Sequence, residues 1–351
     1  MDANFLLYGA TGYTGRLVAR LAVERGMRPI LAGRDREKTV RFAAELGLAH
    51  RAFALDDRAA LDAALGEVAC VLHCAGPFSR TSKPMADACL RTRTHYLDIT
   101  GEVAVFESLA ARDEEAKAAG VMLLPGVGFD VVPSDCLALH LKERLPSATR
   151  LVLAIHGLGR ISHGTATTMV ENIHRGGLVR RAGRLTPVPA AWRTRAVDFG
   201  RGPRTATTIP WGDVATAYYS TGIPNIEVYA ALPGTMRWLM RASRPFAGLL
   251  GTPAVQRFLK KRIDAQPPGP SDEERVRGRS FVWGEVADES GARASARQSG
   301  PEGYTLTAHT ALAVVARVLA GESKSGFQTP ARAYGADFVL TIEGVTREDL
   351  A

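Results

Sequence analysis

Residues 4–15 read NFLLYGATGYTG, and this stretch decides the fold. An apolar run ends at Gly9, and glycines recur at Gly12 and Gly15. Beyond them Leu17, Val18, Leu21 and Ala22 keep helical spacing within residues 14–25. A strand running through a glycine turn into a helix is the context that gives such a motif meaning. Gly9 permits the tight turn, Gly12 lets the backbone approach a pyrophosphate, and Gly15 lets helix and strand pack closely. The helix start supplies N–H donors and a positive dipole end. Gly9, Thr11, Gly12, Tyr13, Thr14 and Gly15 are therefore the expected phosphate-binding turn.

Outward from this turn, apolar runs alternate with helical patterns. Strands are predicted at Met27–Ala32, His50–Leu55, Cys70–Ala75, His95–Ile99 and Val121–Leu124. Helices are predicted at Arg36–Leu46, Arg58–Leu65, Ser82–Arg91 and, as one long element, Val103–Ala119. The alternation implies a doubly wound parallel sheet of the Rossmann type, in the α/β class.

The end of the second strand bears on the adenosine ribose. A site for an unphosphorylated ribose places Asp or Glu there, about 20 residues beyond the glycines. Here Ala32-Gly33-Arg34-Asp35 puts Gly33 in that slot and Arg34 after it. An acid would repel a 2′-phosphate, whereas a guanidinium pairs with it bidentately. Gly33 and Arg34 thus favour NADP(H). Asp35 is the rival acid, with capping of the next helix as its other role. No tyrosine has Lys four positions on, which disfavours the usual short-chain reductases.

Ala75-Gly76-Pro77-Phe78 follows the fourth strand, where a cofactor's nicotinamide half would lie. Gly76 allows close approach and Pro77 stiffens the turn. Hydride transfer also calls for a proton on the product. Asp98 and Glu102 leave the fifth strand, Asp130 and Asp135 follow the sixth, and His163 sits in a Gly/Ser/Thr-rich loop. Asp98, Glu102 and His163 are the catalytic candidates, each with helix capping or a surface role as the alternative. Asp130 is placed with the cofactor-binding residues.

The second half reads differently. A strand is predicted at Arg150–His156, a helix at Thr165–Ile173 and a strand at Asn225–Leu232. A hairpin follows, Arg279–Asp288 with Ala292–Gln298. Residues 266–274 (QPPGPSDEE) read as a loop, Tyr304–Leu319 as a helix and Phe338–Ile342 as a last strand. This implies a second α+β domain on a mixed or antiparallel sheet.

The chain has 351 residues, and two domains are expected. Its net charge is +8, and 37 of its 44 basic residues are arginines. Between Gly159 and Arg204 there are nine Arg against one Glu and one Asp. Residues 235–263 carry seven basic residues and no acid, interleaved with apolar ones. Such a stretch lies on an anionic membrane surface, roofs a greasy pocket or packs on the second sheet. No basic–aromatic stacking platform suggests nucleic acid. The four cysteines lack paired metal spacing, so free thiols and no metal site are expected. The opening residues lack a signal peptide's basic region and cleavage site. No run of 18 apolar residues occurs, and a cytoplasmic protein, open to peripheral membrane contact, is expected.

Several motifs occur together in order: GATGYTG (9–15), AGR (32–34), CAGPF (74–78), HYLDITGE (95–102) and PGVGFDVVPSD (125–135). SHGT (162–165), IPWGD (209–213), STGIPN (220–225) and GFQTPA (326–331) follow. Together they resemble the saccharopine-dehydrogenase-like reductases, in the branch called trans-acting enoyl reductases. The resemblance implies a Rossmann domain over 1–128, with 325–351 returning to it. It also implies an α+β substrate or oligomerisation domain over 129–324, and NADP as cofactor. The reaction it implies is NADPH-dependent reduction of a carbon–carbon double bond in an enoyl thioester or lipid-like substrate. Reduction of an imine or amino-acid adduct, and NADP binding without catalysis, stay open, as does a homodimer.

Overall fold

The computed structural model describes residues 5–157 and 159–350. Asn4, the first residue of the opening run, and Ala351 lie outside them. The chain divides into two units, 1–132 with 304–333 and 133–303 with 334–351. The segment that returns to the first unit is thus 304–333. Residues 334–351 belong to the second unit, which differs from the expected return of 325–351.

In the first unit β1 (Phe5–Tyr8), all buried, leads into α1 (Tyr13–Glu24), whose buried face is Gly15, Val18, Ala19 and Ala22. Next come β2 (Ile30–Gly33), α2 (Arg36–Leu46), β3 (His50–Ala52) and α3 (Arg58–Leu65). Then follow β4 (Cys70–His73), α4 (Phe78–Thr92) and β5 (His95–Asp98). The predicted long helix is two, α5 (Val103–Ala110) and α6 (Asp113–Ala119), followed by β6 (Met122–Leu124). The break has a charge logic. Asp113, Glu114 and Glu115 make an acidic first turn that complements a fresh helix start. Arg112 ahead of it pairs with both Asp87 and Glu115.

The sheet order is Gly326–Phe327, β6, β5, β4, β1, β2, β3, with every pair parallel. The order 3-2-1-4-5-6 from β3 to β6 is the doubly wound dinucleotide-binding arrangement, and the strand at Gly326–Phe327 extends it. Helix Gly303–Leu319 buries Leu306, Ala311, Leu312, Val314 and Val315.

The second unit opens with α7 (Val132–Arg144), absent from the sequence reading, then β7 (Arg150–His156) and α8 (His163–Asn172). Four strands follow, β8 (Gly177–Arg181), β9 (Arg184–Val188), β10 (Thr194–Asp198) and β11 (Pro203–Thr208). Next come α9 (Asp213–Thr221), β12 (Asn225–Ala230), α10 (Gly234–Ala242), α11 (Ala247–Leu250) and α12 (Pro253–Asp264). The expected loop at 266–274 holds the start of α13 (Asp272–Arg277), because Ser271 and Glu274 form a reciprocal capping box. The hairpin is β13 (Arg279–Ala287) with β14 (Arg293–Pro301).

The second sheet is mixed. β7 and β12 are parallel, and the remaining pairs, including β14 with Thr346–Leu350, are antiparallel. The expected last strand, Phe338–Ile342, is a 3-10 turn at Phe338–Thr341. A short apolar run cannot be told from a buried helical segment by periodicity. Among the described residues no helix is long and apolar enough to cross a membrane.

Candidate functional site

The turn after β1 is held by backbone geometry that glycine supplies. Gly9 has φ +82°, and its amide donates to the Ala32 carbonyl at 2.8 Å. A β-carbon there would stand 2.8 Å from the Ala75 nitrogen; one at Gly15 would stand 2.3 Å from the Gly9 oxygen. These two glycines are needed for packing. Gly12 differs: it is exposed, and the one described atom within 4 Å of an added β-carbon would be the Gly9 oxygen at 3.3 Å. Its outer side is open to a ligand. Thr11, Tyr13 and Thr14 are half-buried beside it, with Tyr13 edge-on to Tyr304 at 5.0 Å.

Helix α1 starts with no side-chain cap and no acid in its first turn. The next helices are different. Asp35 accepts the Lys38 amide at the start of α2, and Asp57 accepts the Ala60 amide at the start of α3, each at 3.1 Å. Glu102 accepts the amides of Phe78 (2.8 Å) and Ser79 (3.1 Å) at the start of α4. Among the described residues no capping or first-turn carboxylate neutralises the positive end of α1, as an anion-binding helix start requires.

The end of β2 sits beside this turn. Gly33 is buried, and a β-carbon on it would stand 3.1 Å from Thr39 Oγ1, which leaves little room for an acidic side chain. Asp35 is committed to capping α2, so the rival acid is accounted for. Arg34 is exposed and makes no hydrogen bond or ion pair among the described residues. Its charge reaches Tyr8, where it opposes the burial that pushes the phenol up to about 12. An open Gly12, an uncapped helix start and an unpaired guanidinium together fit a phosphate-bearing dinucleotide.

The loop after β4 is tied down at both ends. The Cys74 amide donates to the Tyr8 carbonyl at 2.8 Å. The Thr81 hydroxyl donates to the carbonyls of Ala75 (2.7 Å) and Pro77 (3.1 Å). Gly76 is exposed and precedes a cis peptide to Pro77, whereas Phe78 is buried edge-on to the His73 ring at 5.3 Å.

The candidate acids separate by environment. Asp98 is 0% exposed. Its carboxylate accepts from Tyr96 Oη (2.5 Å), the Thr100 amide (3.0 Å) and the Gly126 amide (2.9 Å). Burial raises its pKa to about 6, against the pull of those bonds. It braces the loop after β5 against the loop after β6. Glu102 is occupied as the anion at the start of α4. His163 belongs to the second unit, where its ring Nε2–H donates to the Gln266 carbonyl at 2.7 Å.

Asp130 stands apart. It is half-buried, forms no hydrogen bond or ion pair among the described residues, and burial raises its pKa to about 6. Its carboxyl rests on Gly101: a β-carbon there would be 2.7 Å from Oδ2. The loop carrying it is fixed by helix Gly303–Leu319. Thr307 Oγ1 accepts the Phe129 amide at 3.0 Å, and Thr310 Oγ1 donates to the Val127 carbonyl at 2.8 Å. Gly101, Thr307 and Thr310 are supporting residues that the sequence reading misses. Gly101 carries a signal, a glycine directly before Glu102. The threonines carry none, being about 180 residues away in the chain.

The comparisons with known proteins agree with this geometry. Residues 5–124 match the family model of the saccharopine dehydrogenase NADP binding domain. A trans-acting enoyl reductase of Mycobacterium leprae is 36% identical over 152 residues, 41% of this chain and 36% of that protein. One of Mycobacterium tuberculosis is 30% identical over 217 residues, 58% of this chain and 51% of its own length. The matched stretches thus span between about a third and a half of those relatives. Apo saccharopine dehydrogenase (L-Glu forming) from Saccharomyces cerevisiae shares the fold at TM-score 0.68, with 13% identity over 99% of this chain and 100% of that one. Residues 5–124 thus match a saccharopine dehydrogenase NADP-binding domain, and the chain shares the fold of saccharopine dehydrogenase.

Proposed function

We propose that this protein is an NADPH-dependent reductase of a carbon–carbon double bond in an enoyl thioester or lipid-like substrate. The observation that carries the cofactor half is the uncapped start of α1 beside an unpaired Arg34. The reaction half draws on the relatives named trans-acting enoyl reductase. When bound, the cofactor supplies hydride; the protein supplies binding, orientation and a proton.

The N-terminal amides of α1 hold the pyrophosphate, and Gly12 lets it approach the backbone. Arg34 pairs with the 2′-phosphate. Ala75, Gly76 and Pro77 form the wall for the nicotinamide half, with Thr81 keeping that loop in place. Asp130 is the acid we assign to protonating the product. A carboxyl titrating near pH 6 still holds a proton in part of the population near neutrality, and no described residue hydrogen-bonds or ion-pairs with its oxygens. Asp98 and Glu102 position the loops around it.

Absorbance at 340 nm, followed with NADPH and a series of enoyl thioesters, tests the reading. Turnover of an enoyl thioester, lost in Asp130→Asn, supports it. Turnover of an imine or amino-acid adduct in place of every enoyl substrate replaces it.

A further inference from the structure

Residues 234–264 of the second unit form α10, a 3-10 turn at Arg244–Phe246, α11 and α12, and none of these elements has a buried residue. Their large apolar side chains point outward. Met236 is 46% exposed, Trp238 67%, Leu239 54%, Phe246 57%, Leu249 57% and Phe258 62%. Helices that merely covered the second sheet would turn these residues inward.

The segment is nonetheless seated. Arg237 donates to the Leu232 carbonyl (2.6 Å) and Arg244 to those of Ala190 (2.8 Å) and Ala191 (3.0 Å). Gln256 donates to the Val170 carbonyl at 2.8 Å, and Lys260 pairs with Glu171 at 2.5 Å. Those contacts use the polar groups on the inner side. Arg241, Arg257 and Lys261 are exposed and have no hydrogen bond or ion pair among the described residues, and Arg262 only overlies the Phe258 ring.

We propose that this segment is an interfacial element that docks the protein on an anionic lipid surface. Aromatic and aliphatic tips enter the headgroup boundary while the surrounding cations meet lipid phosphates. Charge decides against a second copy of this chain. An isologous contact through this face would set Arg241, Arg257, Lys261 and Arg262 against their own copies, since residues 235–263 hold no acid to pair with them. Pro245 and Pro253 keep the helices short, so the segment lies on a bilayer and does not enter as a span. The inference rests on the surface of the second unit alone and is independent of the reaction assigned to the first.

The test is co-sedimentation of the full chain with vesicles of phosphatidylcholine alone and of phosphatidylcholine mixed with phosphatidylglycerol. Binding is expected to the mixture, and to be about tenfold weaker or more to phosphatidylcholine alone. The variant Trp238→Ser/Phe258→Ser removes apolar tips; Arg241→Glu/Arg257→Glu/Lys261→Glu reverses the free charges. Each is expected to lower partitioning about tenfold or more, with circular dichroism and NADPH affinity unchanged. Absence of binding to the mixture overturns the proposal, as does binding that neither variant alters. Self-association in sedimentation velocity that the Trp238/Phe258 variant abolishes, without vesicle binding, also overturns it and makes the face a contact between copies.

Discussion

The carboxyl of Asp130 rests on the bare backbone of Gly101, so that a β-carbon at Gly101 would lie 2.7 Å from Asp130 Oδ2. The contact joins the loops after β5 and β6. It leaves a carboxyl raised to about 6 without a hydrogen-bond partner among the described residues.

Replacement of Asp130 by Asn is expected to lower kcat about a hundredfold or more and to leave the Kd for NADPH unchanged. The pH profile carries a sign. Asp130 is protonated below about 6, so kcat falls as pH rises through that value, and the variant loses this limb. Gly101→Ala, which displaces the carboxyl without removing it, is expected to cost about tenfold in kcat. Steady-state kinetics with a fluorescence titration of NADPH measures both.

Arg34→Ala is expected to weaken NADPH binding by about 10- to 100-fold, the worth of about 1.5–3 kcal/mol for hydrogen bonds to a charged group. Binding of NADH, which lacks the 2′-phosphate, should hardly change. Isothermal titration calorimetry of both coenzymes decides it; equal losses for the two would remove Arg34 from the 2′-phosphate site.

Gly12 and Gly15 of the turn should separate in their effects. Gly15→Ala forces a β-carbon to within 2.3 Å of the Gly9 oxygen and should lower stability by about 2 kcal/mol or more in urea unfolding. Gly12→Ala meets that oxygen at 3.3 Å, so stability should change little. NADPH affinity should fall, because the new methyl group occupies the side the pyrophosphate approaches.

His73, on β4, is fully buried among aromatic rings, with neither ring nitrogen hydrogen-bonded among the described residues. Burial pushes its pKa down to about 3. The unfolded imidazole titrates near 6.5, so the unfolded state binds the extra proton between these values. Its contribution is present above pH 6.5 and is lost as pH falls towards 3. The stability of wild type relative to His73→Phe should therefore drop by up to about 1.4 kcal/mol per pH unit below 6.5. Urea unfolding of both proteins at pH 5 and at pH 7.5, measured as a difference, cancels the other titrating groups.

The first half was legible because its signals are local. Gly9, Gly12 and Gly15 between an apolar run and a helical face specify a βα turn, and the same alternation carries through β6. The second half was read in part. The hairpin β13–β14 and strand β7 follow from pattern, while β8 to β11 do not. Those strands carry Arg180, Arg181, Arg184, Arg195 and Arg204 among their apolar residues, which hides the alternation. Val103–Ala119 looked like one helix because apolar spacing continues past Ala110, and only the acidic turn at Asp113 marks the restart.

By itself, the sequence determined the glycine turn after β1, the parallel sheet and the absence of an acid at residue 33. Each follows from backbone conformations and spacings within about 30 residues, where chain geometry leaves few choices. The tertiary structure alone decided which acids are spent and which is available. Asp35 is spent on α2, Asp98 on its three donors, and Glu102 on the amides of Phe78 and Ser79, 24 and 23 residues away. Asp130 has no such partner among the described residues. A carboxyl's state depends on its burial and on the donors that reach it, and long-range packing brings those together. The same holds for Trp238 and Phe258: periodicity marks them as apolar, and only the folded second unit turns them outward.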